Sequence, residues 1–278
     1  MTIEEAIKYG KEKLHKKQDV HFLIIILLQY VLKKDKIYII THNTDNIEEK
    51  QAKQYMEEIE KLKNGYPIQY ITGNQEFMGF NYKVSEDVLI PQPDTEILVE
   101  EVIKISKSFQ NKNNDILDLC CGSGCIGISI AKILSNTNVT LSDISKKAIK
   151  IAKQNAEKLN VKVDILQSDL FENINKQYEI IVSNPPYIRT NIIKNLPIEV
   201  QNEPIIALDG GEDGLIFYKE IIEEAPKYLK NGGYLCLEIG FDQKQDVETL
   251  MQKNFEYINT VKDLSSNDRV VIGRKKEL

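Results

Sequence analysis

The residues best suited to chemistry are Ser183-Asn184-Pro185-Pro186-Tyr187. Asn184 brings a carboxamide, Tyr187 an aromatic ring, and the prolines bring carbonyls whose own nitrogens carry no hydrogen. The apolar run Tyr178-Glu179-Ile180-Ile181-Val182 before them reads as a short buried strand. A residue ahead of proline is held extended, so these groups stand at the carboxyl end of that strand. Open α/β sheets hold their ligands there. Asn-Pro equally favours a turn that only ends a strand, and these residues alone leave both readings open.

A second stretch implies a nucleoside. Ile116-Leu117-Asp118-Leu119 reads as a strand, and Cys121-Gly122-Ser123-Gly124-Cys125-Ile126-Gly127 turns from it into a helix through Leu134. Gly122, Gly124 and Gly127 fit the G-x-G-x-x-G spacing, in which glycine permits a tight turn and close backbone approach to a ligand. The next strand, Val139-Thr140-Leu141-Ser142-Asp143, ends in an acid, 21 residues after Gly122. A carboxylate there can accept hydrogen bonds from both hydroxyls of a ribose. A dinucleotide needs a second such half, whereas S-adenosylmethionine needs one, and no second glycine fingerprint follows.

The elements that must position these groups follow from the remaining pattern. Residues 1–74 read as a helical domain. Ile3, Ala6, Ile7 and Leu14 form one stripe, Asp19 is placed to cap a second helix through Leu32, and Asn46 with Glu49 resembles a capping box for a helix closed by Gly65. Residues 75–278 begin with a hairpin around Gly79 that connects the two parts. The spaced prolines of Leu89-Ile90-Pro91-Gln92-Pro93-Asp94-Thr95-Glu96 force an extended strap, with Asp94 or Thr95 capping a helix to about Ser106. Further strands at residues 163–167, 180–183, 233–239, 257–260 and 269–272 alternate with helices at 145–159 and 215–229. That order gives an α/β, mostly parallel sheet with an antiparallel final strand. Residues 190–214 show no clear period; following Asn-Pro-Pro-Tyr, they read as the substrate-side wall.

Composition narrows the class. The chain has 278 residues, 42% of them apolar, and suits one large domain plus a small one. The formal charge is −6; residues 1–74 carry 12 Lys against 11 acids, so the remainder carries the deficit. The basic balance usual in a nucleic-acid binder is missing. The apolar run at residues 22–28 is too short for a bilayer, and Met1-Thr2-Ile3-Glu4-Glu5 lacks the order of a signal peptide, so a cytoplasmic location is expected. Cys120, Cys121 and Cys125 lie close together, but His15, His21 and His42 are far upstream. Buried, reduced thiols and no metal are therefore expected.

Taken together, these motifs resemble the release-factor glutamine N5-methyltransferases, the PrmC/HemK family. The resemblance rests on Gly65-Tyr66-Pro67-Ile68-Gln69-Tyr70-Ile71-Thr72-Gly73, the strap, the glycine loop, Ser183 to Tyr187, and Glu203-Pro204 through Gly214-Leu215, in that family's order. It implies a seven-stranded class I S-adenosylmethionine-dependent methyltransferase domain, Rossmann-like, behind a small helical partner-recognition domain. It also implies methylation of the side-chain amide of the glutamine in the Gly-Gly-Gln motif of class-1 peptide chain release factors, without direct nucleic-acid or membrane contact.

By the same resemblance, Cys120, Cys121, Gly122, Ser123 and Gly124 lie against the methionine part of the cofactor. Asp143 holds the ribose, Asp169 and Leu170 flank the adenine, and Asn184 stands between cofactor and substrate. Asn184, Pro185, Pro186 and Tyr187 hold the glutamine, with Asn184, Pro185 and Tyr187 acting on the amide. Three positions depart from the family: Cys120 replaces a glycine and is expected to be tolerated at negative φ, Leu170 replaces an aromatic residue, and Gln92 stands where arginine is usual. Asn-Pro-Pro-Tyr also occurs in DNA adenine methyltransferases. A ribosomal-protein glutamine, an adenine, and a non-catalytic cofactor binder are the alternative readings.

Overall fold

The computed structural model describes residues 1–109 and 113–277 and divides into two compact units. The first comprises Met1–Gly73 with Pro197–Asn202, and the second comprises Asn74–Leu196 with Glu203–Leu278.

The first unit contains α1 (Ile3–Lys13), α2 (Val20–Leu32), α3 (Lys36–Thr41), α4 (Glu49–Lys63) and α5 (Ile68–Thr72). Helix α1 opens with a capping box, Thr2 Oγ1 accepting from Glu5 N–H and the Glu5 carboxylate accepting from Thr2 N–H. Asp19 does not cap α2: it lies in the left-handed region, φ 51°, with no side-chain cap bond. Nor do Asn46 and Glu49 form a box. The N-cap of α4 is Glu48, because Asn46 is committed to a β-bridge with Thr2 and Ile47 is buried with its N–H on Met1 O. At the other end of α4, Gly65 at φ 87° closes it as expected. Tyr66 N–H reaches Lys61 O and Gly65 N–H reaches Leu62 O, the paired bonds of a Schellman ending. The core of this unit gathers Ile24, Leu27, Leu28, Tyr55 and Ile59, and the Tyr55 hydroxyl donates to Ala6 O at 3.0 Å.

The second unit starts with the hairpin β1 (Asn74–Phe77) and β2 (Phe80–Lys83), turning at Met78-Gly79. It continues through α6 (Glu96–Ser108), β3 (Asn114–Leu119), α7 (Cys125–Ile133), β4 (Thr137–Asp143), α8 (Lys146–Lys158), β5 (Asp164–Gln167) and β6 (Tyr178–Ser183). After α9 (Ile198–Gln201), which counts with the first unit, come α10 (Ile216–Tyr228), β7 (Leu229–Glu238), α11 (Lys244–Met251), β8 (Phe255–Lys262) and β9 (Asp268–Lys275).

The seven strands lie in the order β5-β4-β3-β6-β7-β9-β8. Pairs from β5 to β7 are parallel, and β9 runs antiparallel between β7 and β8. This is the mostly parallel sheet expected. Its central strand β6 is buried along its whole length, because helices cover both faces of a parallel sheet. Alternate residues serve opposite cores: Ile180 and Val182 pack in one cluster, Ile181 in the other. Strand order reverses between β3 and β6, so the crevice beyond Leu119 and Ser183 is the topological switch point.

Candidate active site

Adjacent parallel strands deliver the candidate residues to one end of the sheet. Leu119 pairs with Ser183 on one side and Ser142 on the other, so the chain after each strand enters the same space. A cavity of about 400 Å³ opens there. Of the sequence-predicted residues, Cys120, Cys121, Gly122, Ser123, Asp143, Asp169, Leu170, Asn184 and Pro186 line it. Gly124, Pro185 and Tyr187 do not. Gly124 begins α7 at φ 78°, and a Cβ there would lie 2.9 Å from Ile128 Cδ1, so this glycine serves helix packing.

The glycine loop is tied to the sheet by Cys121 N–H on Ser142 O at 2.9 Å. Asp143 accepts from Gly122 N–H through Oδ2 and from Ser145 N–H through Oδ1, each at 2.8 Å. Each carboxylate oxygen has room for a second donor, which leaves one acceptor position per ribose hydroxyl. Burial raises the Asp143 carboxyl despite these two bonds. Beneath the loop, Asp118 is fully buried. Its Oδ2 takes Gly127 N–H at 2.8 Å, its Oδ1 has no partner among the described residues, and burial pushes its carboxyl up to about 7.

Cys120 does not meet the condition of a negative φ under which it should be tolerated: it stands at +60°, the conformation a glycine would take without strain. Leu170 is also left-handed, at φ 38°, its carbonyl held by Ser168 Oγ at 2.8 Å. The Cys120 thiol is raised chiefly by burial, and all four cysteines are free. Gln92 lines the cavity and donates to Ile90 O at 3.0 Å.

Around Asn184 the geometry fixes polarity. Its Nδ2 donates to Thr95 Oγ1 at 3.4 Å, leaving Oδ1 as the side chain's remaining polar atom. Thr95 supplies no side-chain cap to α6, because its backbone is already helical, φ −69° and ψ −19°, at the end of the 3-10 turn Pro93–Thr95. The peptide beyond is braced by residues distant in sequence. Gln243 Nε2 donates to both Tyr187 O (3.0 Å) and Gly214 O (3.1 Å), while its Oε1 takes Gly240 N–H. Gly210 packs so closely that a Cβ would sit 2.7 Å from Tyr187 Cα. Residues 208–210 are therefore built against the site, through Ile188 N–H on Leu208 O and Gly210 N–H on Ile188 O. Two stretches of the cavity wall are joined by Glu203, which accepts Ile90 N–H at 2.9 Å and has its carboxyl pushed up to about 7 by burial.

The cavity fits S-adenosylmethionine. Gly122 lines it, and a Cβ there would meet nothing within 4 Å, so it would stand in the space a ligand needs. Asp143 provides the paired acceptors, and Leu170, Ile206 and Phe217 provide apolar wall. Sequence reading missed Phe217, which carries no motif, and placed Ile206 only within the wall of residues 190–214 and Thr95 only in the strap as a cap.

A seven-stranded sheet with one nucleoside crevice at its switch point defines a class I S-adenosylmethionine-dependent methyltransferase. Comparison with known proteins agrees: residues 93–199 match the methyltransferase small domain, and residues 5–73 match the PrmC N-terminal domain. The release factor glutamine methyltransferase of Clostridium acetobutylicum is 43% identical over 98% of both chains. That of Thermodesulfovibrio yellowstonii is 42% identical over 90% of this chain and 91% of its own. The chain belongs to the release factor glutamine methyltransferase family. The fold is shared with a methyltransferase from Pyrococcus furiosus, TM-score 0.55 at 17% identity, covering 80% of this chain and 99% of that one. It is also shared with a T. thermophilus 16S rRNA methyltransferase solved with AdoMet and guanosine, TM-score 0.52 at 18% identity, covering 73% and 50%. Among the described residues no helix is long and apolar enough to cross a membrane.

Proposed function

We propose that this enzyme methylates the side-chain amide nitrogen, N5, of the glutamine in the Gly-Gly-Gln motif of class-1 peptide chain release factors. One observation carries this reading: Asn184 Nδ2 donates to Thr95 Oγ1 at 3.4 Å, which turns Oδ1 the other way, where it can accept from a substrate donor. The family's curated members are named for release factor glutamine, which supports the choice of substrate. The helical unit is assigned to recognition of that protein partner, and no nucleic acid takes part.

An amide nitrogen is a poor nucleophile, because its lone pair is delocalised into the carbonyl. When bound, S-adenosylmethionine supplies an electrophilic methyl group on a sulfonium. Asn184 Oδ1 and the Pro185 carbonyl each accept one N–H of the substrate amide, which fixes the amide plane and enriches the nitrogen. Pro185 and Pro186 present acceptors without competing N–H donors. Orientation of this kind supplies on the order of 7–11 kcal/mol at best. The three histidines precede residue 43, so the catalytic unit holds no histidine base. The proton leaves the nitrogen for solvent.

Labelled methyl transfer into purified release factor tests the substrate, beside a factor whose Gly-Gly-Gln glutamine is replaced. Label is expected only in the native factor; label in neither, or equally in both, defeats the reading. Asn184→Ala is expected to slow single turnover by about a hundredfold while cofactor affinity changes little. Isothermal titration with S-adenosylmethionine, run beside the rates, separates the two effects.

A further inference from the structure

Large apolar side chains that stay exposed in the second unit gather mainly at one edge. Ile144 follows β4, Ile205 and Ile206 follow β6, Phe241 follows β7 and Leu264 follows β8. Because β9 lies antiparallel between β7 and β8, those two strands run the same way, and all five residues stand at the carboxyl end of the sheet. Ile144 and Ile206 line the cavity, whereas among the described residues none after Glu220 does. The edge beyond β7 and β8 is therefore outside the cofactor's space. Single exposed apolar residues are ordinary, but Phe241 and Leu264 are mounted rigidly. Gly240 N–H is held by Gln243 Oε1 at 2.9 Å, and Gln243 Nε2 also holds Tyr187 O. Phe241, 68% exposed, thus rides on a turn clamped to the Asn184–Tyr187 peptide. Leu264, wholly exposed, sits in a turn where Asp263 Oδ1 accepts Ser265 N–H and Asn267 N–H, each at 2.9 Å. Asp263 Oδ2 is bound by Arg269 at 3.0 Å, and Arg269 binds Asp94 on the strap at 3.1 Å. Neither turn can swing its apolar side chain inward without breaking these bonds.

What covers them follows from the substrate. Glycine has no side chain, so a Gly-Gly-Gln motif gives an enzyme little to grip beyond the glutamine itself. A protein chosen by that motif must also be held by surface outside it. Neighbouring strands stand about 4.8 Å apart, which sets Phe241 one strand and Leu264 three strands from the end of β6, where Asn184 begins the site. We infer that Phe241 and Leu264 form a docking platform for the apolar surface of the release factor beside its Gly-Gly-Gln motif, on the cofactor-free side of Asn184. The inference rests on the release-factor reading and adds to it a contact made by the catalytic unit itself. An aromatic anchor at the near end and an aliphatic one beyond it suit an apolar patch on the partner.

The test is steady-state methylation of intact release factor by variants of the full chain. Phe241→Ser is expected to raise KM for the factor about tenfold and Leu264→Ser about threefold, with kcat unchanged. The two sites lie about two strands apart, so the double variant should combine both losses, about thirtyfold. Raised KM at constant kcat marks contacts made equally in the ground and transition states. S-adenosylmethionine affinity, measured by titration, should stay as in wild type. Tyr257→Ser, also exposed but near the other end of β8, is the control and should match wild type. Isothermal titration of release factor into enzyme saturated with S-adenosylhomocysteine should rank the variants in the same order without turnover. A wild type that methylates the factor while the double variant keeps its KM overturns the inference and leaves the substrate reading standing. A loss confined to kcat or to cofactor affinity, or an equal loss in Tyr257→Ser, overturns it as well. If the wild type does not methylate the factor, the substrate reading falls and the titration still judges the platform. Binding that weakens in the double variant then keeps it, and binding that is undiminished or absent overturns it.

Discussion

At the scale of single residues, the site combines strain with direction. Cys120 sits where an L side chain is crowded, at φ 60°, a conformation costing about 1–2 kcal/mol. Glycine there removes the crowding but gives back about 0.4–1 kcal/mol through the freer unfolded chain. Cys120→Gly is therefore expected to exceed Cys120→Ala in stability by about 1 kcal/mol, since alanine loses the sulfur and keeps the strain. Urea midpoints of the two variants decide this, and an alanine form at least as stable would remove strain from the account. Direction was partly legible in sequence, because adjacent prolines announce acceptors without donors. Its control was not: Thr95 lies 89 residues from Asn184 and Glu203 lies 113 from Ile90. No local period or spacing reports such pairs.

At the scale of elements, what could be read was what is local. The strand, glycine loop, helix and acid of β3-α7-β4 were visible because turn chemistry and apolar runs adjoin in sequence. The caps were misread for two reasons: Asp19 takes a left-handed backbone instead of the extended geometry of a cap, and Asn46 is committed to its bridge with Thr2. Helices α3 and α11 went unanticipated, being six and eight residues long with little periodicity to show. The glycine fingerprint itself divides into two functions that sequence cannot separate. A Cβ at Gly127 would lie 2.1 Å from Leu141 Cδ2 and 3.0 Å from Asp118 Oδ2, pressing α7 off β3 and β4. Gly127→Ala is expected to cost about 1–3 kcal/mol by overpacking. Gly122→Ala meets no described protein atom within 4 Å; at φ 54° it carries left-handed strain of about 1–2 kcal/mol, and because its Cβ intrudes on the cofactor's space it should also lose S-adenosylmethionine affinity, which Gly127→Ala should not. Thermal midpoints and cofactor titrations on both variants check the division; equal cofactor losses with equal melting would refute it.

Across the whole molecule, the buried carboxyls set how stability responds to pH. Asp118, Glu203 and Glu238 each have burial as the chief cause of a carboxyl pushed up to about 7, and Asp143 is raised as well. In the unfolded chain such groups ionise near 4. Between those limits the native state holds more protons than the unfolded state, so stability falls as pH rises from about 4 through about 7 and levels beyond. Asp115 is lowered, Lys230 together with Asn138 and Lys176 outweighing burial, and Glu199 is lowered through Lys17 against its own burial. Their contribution is present above about 4 and lost as pH falls further. The two trends place the stability maximum near pH 5, on the acid side of neutrality. Thermal melts from pH 4.5 to 8 should therefore show a midpoint that declines toward neutrality and then flattens. Glu203→Gln keeps an acceptor for Ile90 N–H but cannot ionise, so its decline should be shallower than that of the wild type. A wild-type midpoint that rises through this range, or a Glu203→Gln curve parallel to it, would mean that these carboxyls are not desolvated in solution as their burial requires.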